Sequence, residues 1–273
     1  MPELEVAPPP ISRFDEQELG TMGLLQHLEE LRKRIMWSAA SIAICFGVAW
    51  YKWEEIYALM RQPIEQALAA HKMDTHLSFL NPTDPFNLSL KLALITGIFI
   101  ACPFLLYQVW MFISPGLYRK EKKFILPFLF LSVGLFLSGG LFGYKVVFPV
   151  ALDFLIGTGA QAGMRPVITI TEYTDLFLTI LLGLALIFEL PIVLGFAGAM
   201  GVVNAKFLFK HIRGAVLIFF VIAAILTPTT DIMNMTIYAA PMILLYFLSI
   251  GIVAIVHPRA RRRRREKREQ QGN

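Results

Sequence analysis

Charged residues are scarce in this sequence. Asp, Glu, Lys and Arg make up 16% of its 273 residues, whereas hydrophobic residues make up 56% and the mean hydropathy is +0.60. An ordinary soluble domain carries about 25% charged residues. The composition therefore excludes a typical soluble protein and predicts a membrane protein.

Cysteine is nearly absent as well. The chain has two, Cys45 and Cys102, and both lie inside long apolar runs. Neither is well placed for a disulfide in an exported domain or for a metal site built from several thiolates. The first twenty residues are acidic, contain prolines and are not apolar, so they match neither a secretory signal peptide nor a transit peptide. We expect the first apolar run to direct the chain to the membrane.

Motifs of common hydrolases are also missing. The sequence contains neither HExxH nor GxSxG, and its five histidines are scattered outside the apolar runs. The glycines between residues 157 and 163 do not have GxGxxG spacing and no strand pattern precedes them, which favours a loop over a phosphate site. We predict a protein that is not an enzyme and that has no cofactor, metal or nucleic-acid partner.

Long apolar runs dominate the rest of the chain. A helix needs about 20 apolar residues to cross a hydrocarbon core about 30 Å thick. We predict an all-α membrane protein with a six-span domain over residues 24–256, a flexible segment at 1–23 and a polybasic tail at 257–273. The spans cover about residues 35–52, 88–113, 124–150, 173–200, 212–227 and 234–256, with short fifth and sixth spans.

Two features outside the spans are also helical by pattern. Leu24, Leu28, Leu31 and Ile35 repeat at helical spacing and predict an amphipathic helix that leads into the first span. The loop after this span is long enough for a short amphipathic helix at about residues 54–70.

Lys and Arg lie on alternate sides of the spans. They cluster at residues 32–34, 119–123, 206–213 and 259–268, whereas the intervening loops carry few. Loops rich in Lys and Arg stay in the cytoplasm. We therefore place both termini in the cytoplasm.

Prolines occur in several spans. Pro103, Pro127, Pro149, Pro191 and Pro241 each remove a backbone donor and favour a kink. We expect six kinked helices that form a concave bundle rather than a straight one.

Glu189 is the acid that lies well inside a predicted span. An unpaired charge there costs at least about 2.5–3.5 kcal/mol on insertion scales. Two interpretations remain open, a functional in-membrane group and a structural hydrogen bond near Pro191. A mid-span carboxylate among kinked helices is also compatible with an ion-coupled secondary transporter, although the chain shows no convincing internal repeat.

Two further acids lie among cations at the cytoplasmic side. Glu30 precedes Arg34 by four residues, so a helical ion pair is one interpretation, as it is for Glu29 and Lys33. Glu121 is the one acid in a cluster of four cations and could simply relieve their repulsion. The alternative is that these carboxylates bind a guanidinium, which a carboxylate holds in a bidentate way that lysine cannot copy.

Several motifs resemble the TatC family, the signal-receptor subunit of the twin-arginine translocase. The similar segments are His27-Leu-Glu-Glu-Leu-Arg-Lys-Arg34, the run from Pro103 to Tyr118 with the following Glu121, and Phe188-Glu-Leu-Pro191. The resemblance extends in order from about residue 24 to residue 256.

The resemblance implies a mechanism. Carboxylates matching Glu30 and Glu121 would engage the paired arginines of a signal peptide on a folded precursor, at the cytoplasmic face. The signal-peptide site implied in this way comprises His27, Glu30, Leu31, Arg32, Phe112, Pro115, Tyr118, Arg119, Lys120 and Glu121.

The resemblance also implies partners. TatB-like and TatA-like single-span proteins would assemble with the chain, and the proton-motive force would drive transport. The implied partner contact comprises Thr227, Pro228, Asp231, Met233 and Met235. Membrane lipids, which the arginine-rich tail would attract, and further copies of this chain in the receptor complex complete the expected partners.

Overall fold

A computed structural model describes residues 13–113, 125–161, 163–164, 166–226 and 232–256. Regular structure in these ranges is helical, apart from an isolated parallel bridge between Ser78 and Thr169. The helices are α1 Arg13–Tyr51, α2 Trp53–Ala70, α3 Asp84–Ile113, α4 Ile125–Phe142, α5 Phe148–Gln161, α6 Ile170–Ile187, α7 Leu190–Ala199, α8 Ala205–Lys210, α9 Ile212–Leu226 and α10 Ile232–Val256, with a π-helical turn at Gly143–Val147 between α4 and α5. The predicted all-α class is confirmed.

Among the described residues, five stretches of helix are long and apolar enough to cross a membrane. They are Leu25–Tyr51, Asp84–Ile113, Leu126–Gln161, Ile170–Ala199 and Met235–Val256. The shorter apolar helix α9 lies where the short fifth span is predicted. In the first of these stretches Ala49 is the one residue that is buried within the chain. Such a large exposed apolar surface is expected of helices that face lipid.

Two predicted bounds need correction. Helix α1 begins at Arg13, inside the segment 1–23 that is predicted to be flexible. The prolines in this part of the chain all precede residue 13, so none interrupts the helix. The third span continues to Gln161 instead of ending near residue 150. The predicted sixth span, Met235–Val256, has 22 residues and is the shortest of the five long stretches.

Two irregularities bend the long helical stretches. Pro149 has no N–H to offer the carbonyl of Lys145, and the chain widens there into the π-helical turn before α5 continues. Pro191 has the same effect on the fourth span, because α6 ends at Ile187 and α7 begins at Leu190 with Pro191 in its first turn. The proline kinks predicted at these two positions are thus present as a turn and a break.

Helix α1 lies antiparallel along α3. Their backbones approach closely at Gly97, where an added Cβ atom would lie 2.9 Å from the backbone nitrogen of Phe46. Small residues allow such close approach between membrane helices. This contact sets which residues of the two helices face each other further along the pair.

Helix α2 covers the end of the bundle opposite the amino-terminal part of α1. Its buried residues Met60, Ile64 and Leu68 belong to the main apolar core, together with Leu92 and Phe148. The helix contains Pro63, so the carbonyl of Leu59 has no helical donor four residues on.

Two tyrosines bind α2 to the bundle. Tyr144 Oη donates a hydrogen bond to the carbonyl of Leu59 at 2.8 Å, and Tyr173 Oη donates one to the carbonyl of Met60 at 2.6 Å. Tyr144, which lies in the π-helical turn, therefore supplies the hydrogen-bond donor that the carbonyl of Leu59 lacks because of Pro63.

Candidate functional site

Polar residues of α1 and α3 meet at the end of the helix pair that carries Glu30. Arg34 donates two hydrogen bonds to the same oxygen of Glu30, from Nε at 3.0 Å and from Nη2 at 2.5 Å. Its remaining terminal nitrogen, Nη1, donates to Gln108 Oε1 at 3.1 Å. The Arg34 guanidinium thus joins a carboxylate on α1 to an amide on α3.

The helix geometry explains this meeting. Glu30 and Arg34 are four residues apart, and this spacing places both side chains on one face of α1. Gly97 of α3 and Phe46 of α1 are in contact, and Gln108 and Arg34 each lie about three helical turns from that contact. Because the two helices are antiparallel, these two residues meet. The predicted Glu30–Arg34 pair is therefore confirmed, whereas Glu29 and Lys33 form no ion pair in the part of the chain that the structure describes.

Burial gives this cluster a defined geometry. Gln108 is 8% exposed, and the Arg34 and Glu30 side chains retain 20% and 30% of their accessible surface. Charges that are partly withdrawn from water interact more strongly than those on an open surface. Because solvent still reaches both side chains, the ion pair is intermediate between an open surface contact and a buried one.

A second contact joins the same two helices. The rings of His27 and Phe112 are stacked, with centroids 4.4 Å apart and an angle of 19° between their planes. His27 is the first residue of the motif in α1, and Phe112 lies near the end of α3. The stack brings two predicted site residues together.

Two clefts adjoin the cluster. The larger has a volume of about 580 Å³ and is lined by Gln26, Glu29, Glu30, Lys33, Arg34, Trp37, Tyr107 and Gln108. The second has a volume of about 510 Å³, and predicted site residue Arg32 lies in its lining with Glu29, Lys33 and Trp37. Leu31 is half-buried on the same helix. Both clefts combine acids and cations with an aromatic wall.

Other predicted site residues lie outside the described part of the chain. These are Pro115, Tyr118, Arg119, Lys120 and Glu121. Thr227, Pro228 and Asp231 of the predicted partner contact also lie outside it, as does the side chain of Met233. Met235 is half-buried near the start of α10.

Glu189 lies in the break between α6 and α7. Ser132 of α4, which is 1% exposed, donates a hydrogen bond from Oγ to Glu189 Oε2. The other carboxylate oxygen, Oε1, is buried and has no hydrogen-bond partner among the described residues. The structural hydrogen bond to a neighbour that was considered for Glu189 is thus present, and its donor comes from the neighbouring helix α4.

Sequence reasoning missed Gln108 as a site residue. It lies in the run from Pro103 to Tyr118 that carries the family resemblance, and an amide in a strongly apolar helix could have drawn attention to it. Its partner could not have been identified, because the register of α1 on α3 depends on packing at Gly97.

The fold and this site define a multi-pass membrane protein with a charged cluster at one end of its helices. The family described as "Sec-independent protein translocase protein (TatC)" matches residues 26–241. The chain belongs to the TatC family. It is a subunit of a Sec-independent protein translocase and not an enzyme, which confirms the family resemblance and favours the translocase over the ion-coupled transporter.

Relatives and solved structures agree with this assignment. The TatC protein of Koribacter versatilis is 55% identical over 271 residues, which cover 99% of both chains. That of Carboxydothermus hydrogenoformans is 37% identical over 238 residues, covering 87% of this chain and 95% of the relative. A crystal structure described as "Twin Arginine Translocase Receptor- TatC" superposes with a TM-score of 0.75 at 35% identity, covering 84% of this chain and 99% of the other.

Proposed function

We propose that this chain recognises the paired-arginine signal peptide of folded precursor proteins at the cytoplasmic face of the membrane. The observation that carries the proposal is that the Glu30 carboxylate accepts two hydrogen bonds from one guanidinium. Arg presents a planar fork of donors, whereas Lys presents a single ammonium. A carboxylate held in this position can therefore distinguish the two residues in a signal peptide.

The surroundings of Glu30 support the same role. The larger cleft, which Glu30 lines, offers space for a peptide between charged side chains and the indole of Trp37. His27 and Phe112 form an aromatic contact at the edge of this region. Glu121 would supply the second carboxylate, so that two acids meet two arginines, with Leu31, Arg32, Pro115, Tyr118, Arg119 and Lys120 around them.

Topology and location are part of the proposal. The clusters of Lys and Arg support a topology in which the Glu30 end and both termini lie in the cytoplasm. Membership of the TatC family supports a location in the inner membrane of a bacterium. The arginine-rich tail would add attraction to anionic lipids.

The proposed complex contains TatB-like and TatA-like single-span proteins and further copies of this chain. The segment from Thr227 to Met235, which follows α9 and includes the first residues of α10, would contact these partners through Thr227, Pro228, Asp231, Met233 and Met235. Transport of the folded cargo would be driven by the proton-motive force.

Site-specific crosslinking tests the receptor role. A signal peptide with a photoreactive residue next to its paired arginines is added to membranes that contain the full-length chain, and a Lys-Lys peptide is tested in parallel. We expect Glu30→Ala and Glu121→Ala each to weaken binding of the Arg-Arg peptide about tenfold or more, because a hydrogen bond to a charged group contributes about 1.5–3 kcal/mol.

The matched control is Glu54→Ala, which removes an exposed carboxylate from the first turn of α2. We expect it to crosslink like the unmodified chain. Equal crosslinking of both peptides that neither Glu30→Ala nor Glu121→Ala reduces would refute the receptor role.

A further inference from the structure

One oxygen of the Glu30 carboxylate, Oε1, is already occupied within the chain. Two of the three nitrogens of the Arg34 guanidinium donate to Glu30 Oε1, and both bonds end on a single oxygen. This contact uses the same chemical group that a twin-arginine peptide would present. An arriving arginine must therefore displace or share a resident guanidinium.

Arg34 has a second partner that can keep it after such a displacement. Its Nη1 donates to Oε1 of Gln108, a buried residue of α3. A guanidinium carries five N–H donors, so a small rotation can release Glu30 while the bond to Gln108 persists. Arg34 would then remain paired in the ligand-bound state instead of being left as an uncompensated charge.

The geometry points to Arg34 as an internal competitor for the signal peptide, with Gln108 as the residue that holds it when it leaves Glu30. This inference rests on the proposed function, because it assumes that Glu30 binds a signal arginine. In the absence of a peptide, the Arg34 guanidinium stays paired with the Glu30 carboxylate. This pair sets a free-energy threshold, because a peptide arginine must compete with Arg34 in order to bind Glu30.

The size of this threshold follows from the strength of the pair. Measured ion pairs near a protein surface contribute about 0.2–1 kcal/mol, which corresponds to a closed-to-open ratio of about 1.4 to 5. The apparent affinity of any ligand falls by the fraction of sites that are open, here about two- to sixfold. Because this factor is the same for every peptide that needs Glu30, it leaves the ratio of Arg-Arg to Lys-Lys affinity unchanged.

Arg34→Lys is the decisive variant, because it keeps the charge and removes the fork of donors. Binding of fluorescent Arg-Arg and Lys-Lys signal peptides is measured by anisotropy with the full-length protein in lipid nanodiscs. We expect Arg34→Lys to bind both peptides up to about two- to sixfold more tightly. Lys33→Gln measures how the loss of one nearby positive charge changes the peptide affinity. Arg34→Gln loses a charge as well, and its peptide affinity should exceed that of Lys33→Gln by the same factor by which Arg34→Lys exceeds the unmodified chain.

A double-mutant cycle tests the role of Gln108. Gln108→Leu removes the partner of the displaced guanidinium, so we expect weaker peptide binding, and we expect this loss to disappear when Arg34→Gln is also present. A loss that persists in the double variant would show that Gln108 acts directly on the peptide and would overturn its assigned role.

Two outcomes distinguish a failure of the competitor role of Arg34 from a failure of the receptor role. Unchanged or weaker binding by Arg34→Lys, while Glu30→Gln still weakens the Arg-Arg peptide, overturns the competitor and leaves the receptor role intact. If Glu30→Gln has no effect and both peptides bind equally, the proposed function itself fails.

Discussion

Gly97→Ala should destabilise the chain by separating α1 from α3. The added Cβ would lie 2.9 Å from the backbone nitrogen of Phe46 and 3.3 Å from the carbonyl carbon of Cys45, whereas ordinary contacts begin at 3.4 Å. These neighbours are backbone atoms and cannot rotate away, so the helices must move apart by about 0.5 Å or more. Overpacking of this kind costs about 1–3 kcal/mol.

The matched control is Gly47→Ala on α1, the partner helix at this contact. An added Cβ at Gly47 meets nothing within 4 Å, so the substitution should be neutral or should stabilise the helix by up to about 1 kcal/mol. The two variants make the same chemical change, yet they should have opposite effects. Only a close contact between α1 and α3 explains such a difference.

The two cysteines provide the assay. Cys102 is buried on α3 and Cys45 is half-buried on α1 beside the contact, so a thiol-reactive fluorophore should label them as the helices separate on heating. A change of 1 kcal/mol moves the midpoint by about 2–4 °C in proteins of this size. We expect Gly97→Ala to melt several degrees below Gly47→Ala. If it melts at the same temperature or higher, the packing that aligns the site is wrong.

Two further predictions concern hydrogen bonds between helices, and both use the same melting assay. Tyr144→Phe removes the donor to the carbonyl that Pro63 leaves without a helical partner, so it should cost about 0.5–1.5 kcal/mol. Pro63→Ala restores a helical N–H and should reduce that cost; an equal cost in both backgrounds would contradict this explanation. Ser132→Ala should cost about 1–3 kcal/mol, because it leaves both oxygens of Glu189 without a described donor. Ser138→Ala on the same helix removes an exposed hydroxyl that bonds to a local carbonyl and should change little, so equal effects of the two serine variants would count against the contact with Glu189.

The long apolar helices could be predicted from the sequence because membrane thickness imposes a simple requirement on length and composition. The short α9 and the amphipathic α2 follow from the same reasoning, since each is a continuous pattern within one segment. The extension of the third span to Gln161 could not be predicted this way. Pro149 favours a kink, but whether the chain stops or continues through a π-helical turn depends on how neighbouring helices satisfy the exposed carbonyls.

The candidate site could likewise be predicted only in part from the sequence. Glu30 and Arg34 belong to one helix, so their spacing alone predicted the pair, and the same spacing also predicted one between Glu29 and Lys33 that does not form. What distinguishes the Glu30–Arg34 pair from Glu29 and Lys33 is Gln108, which binds the Arg34 guanidinium from another helix. That partner depends on a backbone contact at Gly97, about three turns away. Local sequence can therefore identify a carboxylate suited to bind arginine, but tertiary packing determines whether that carboxylate is already in use.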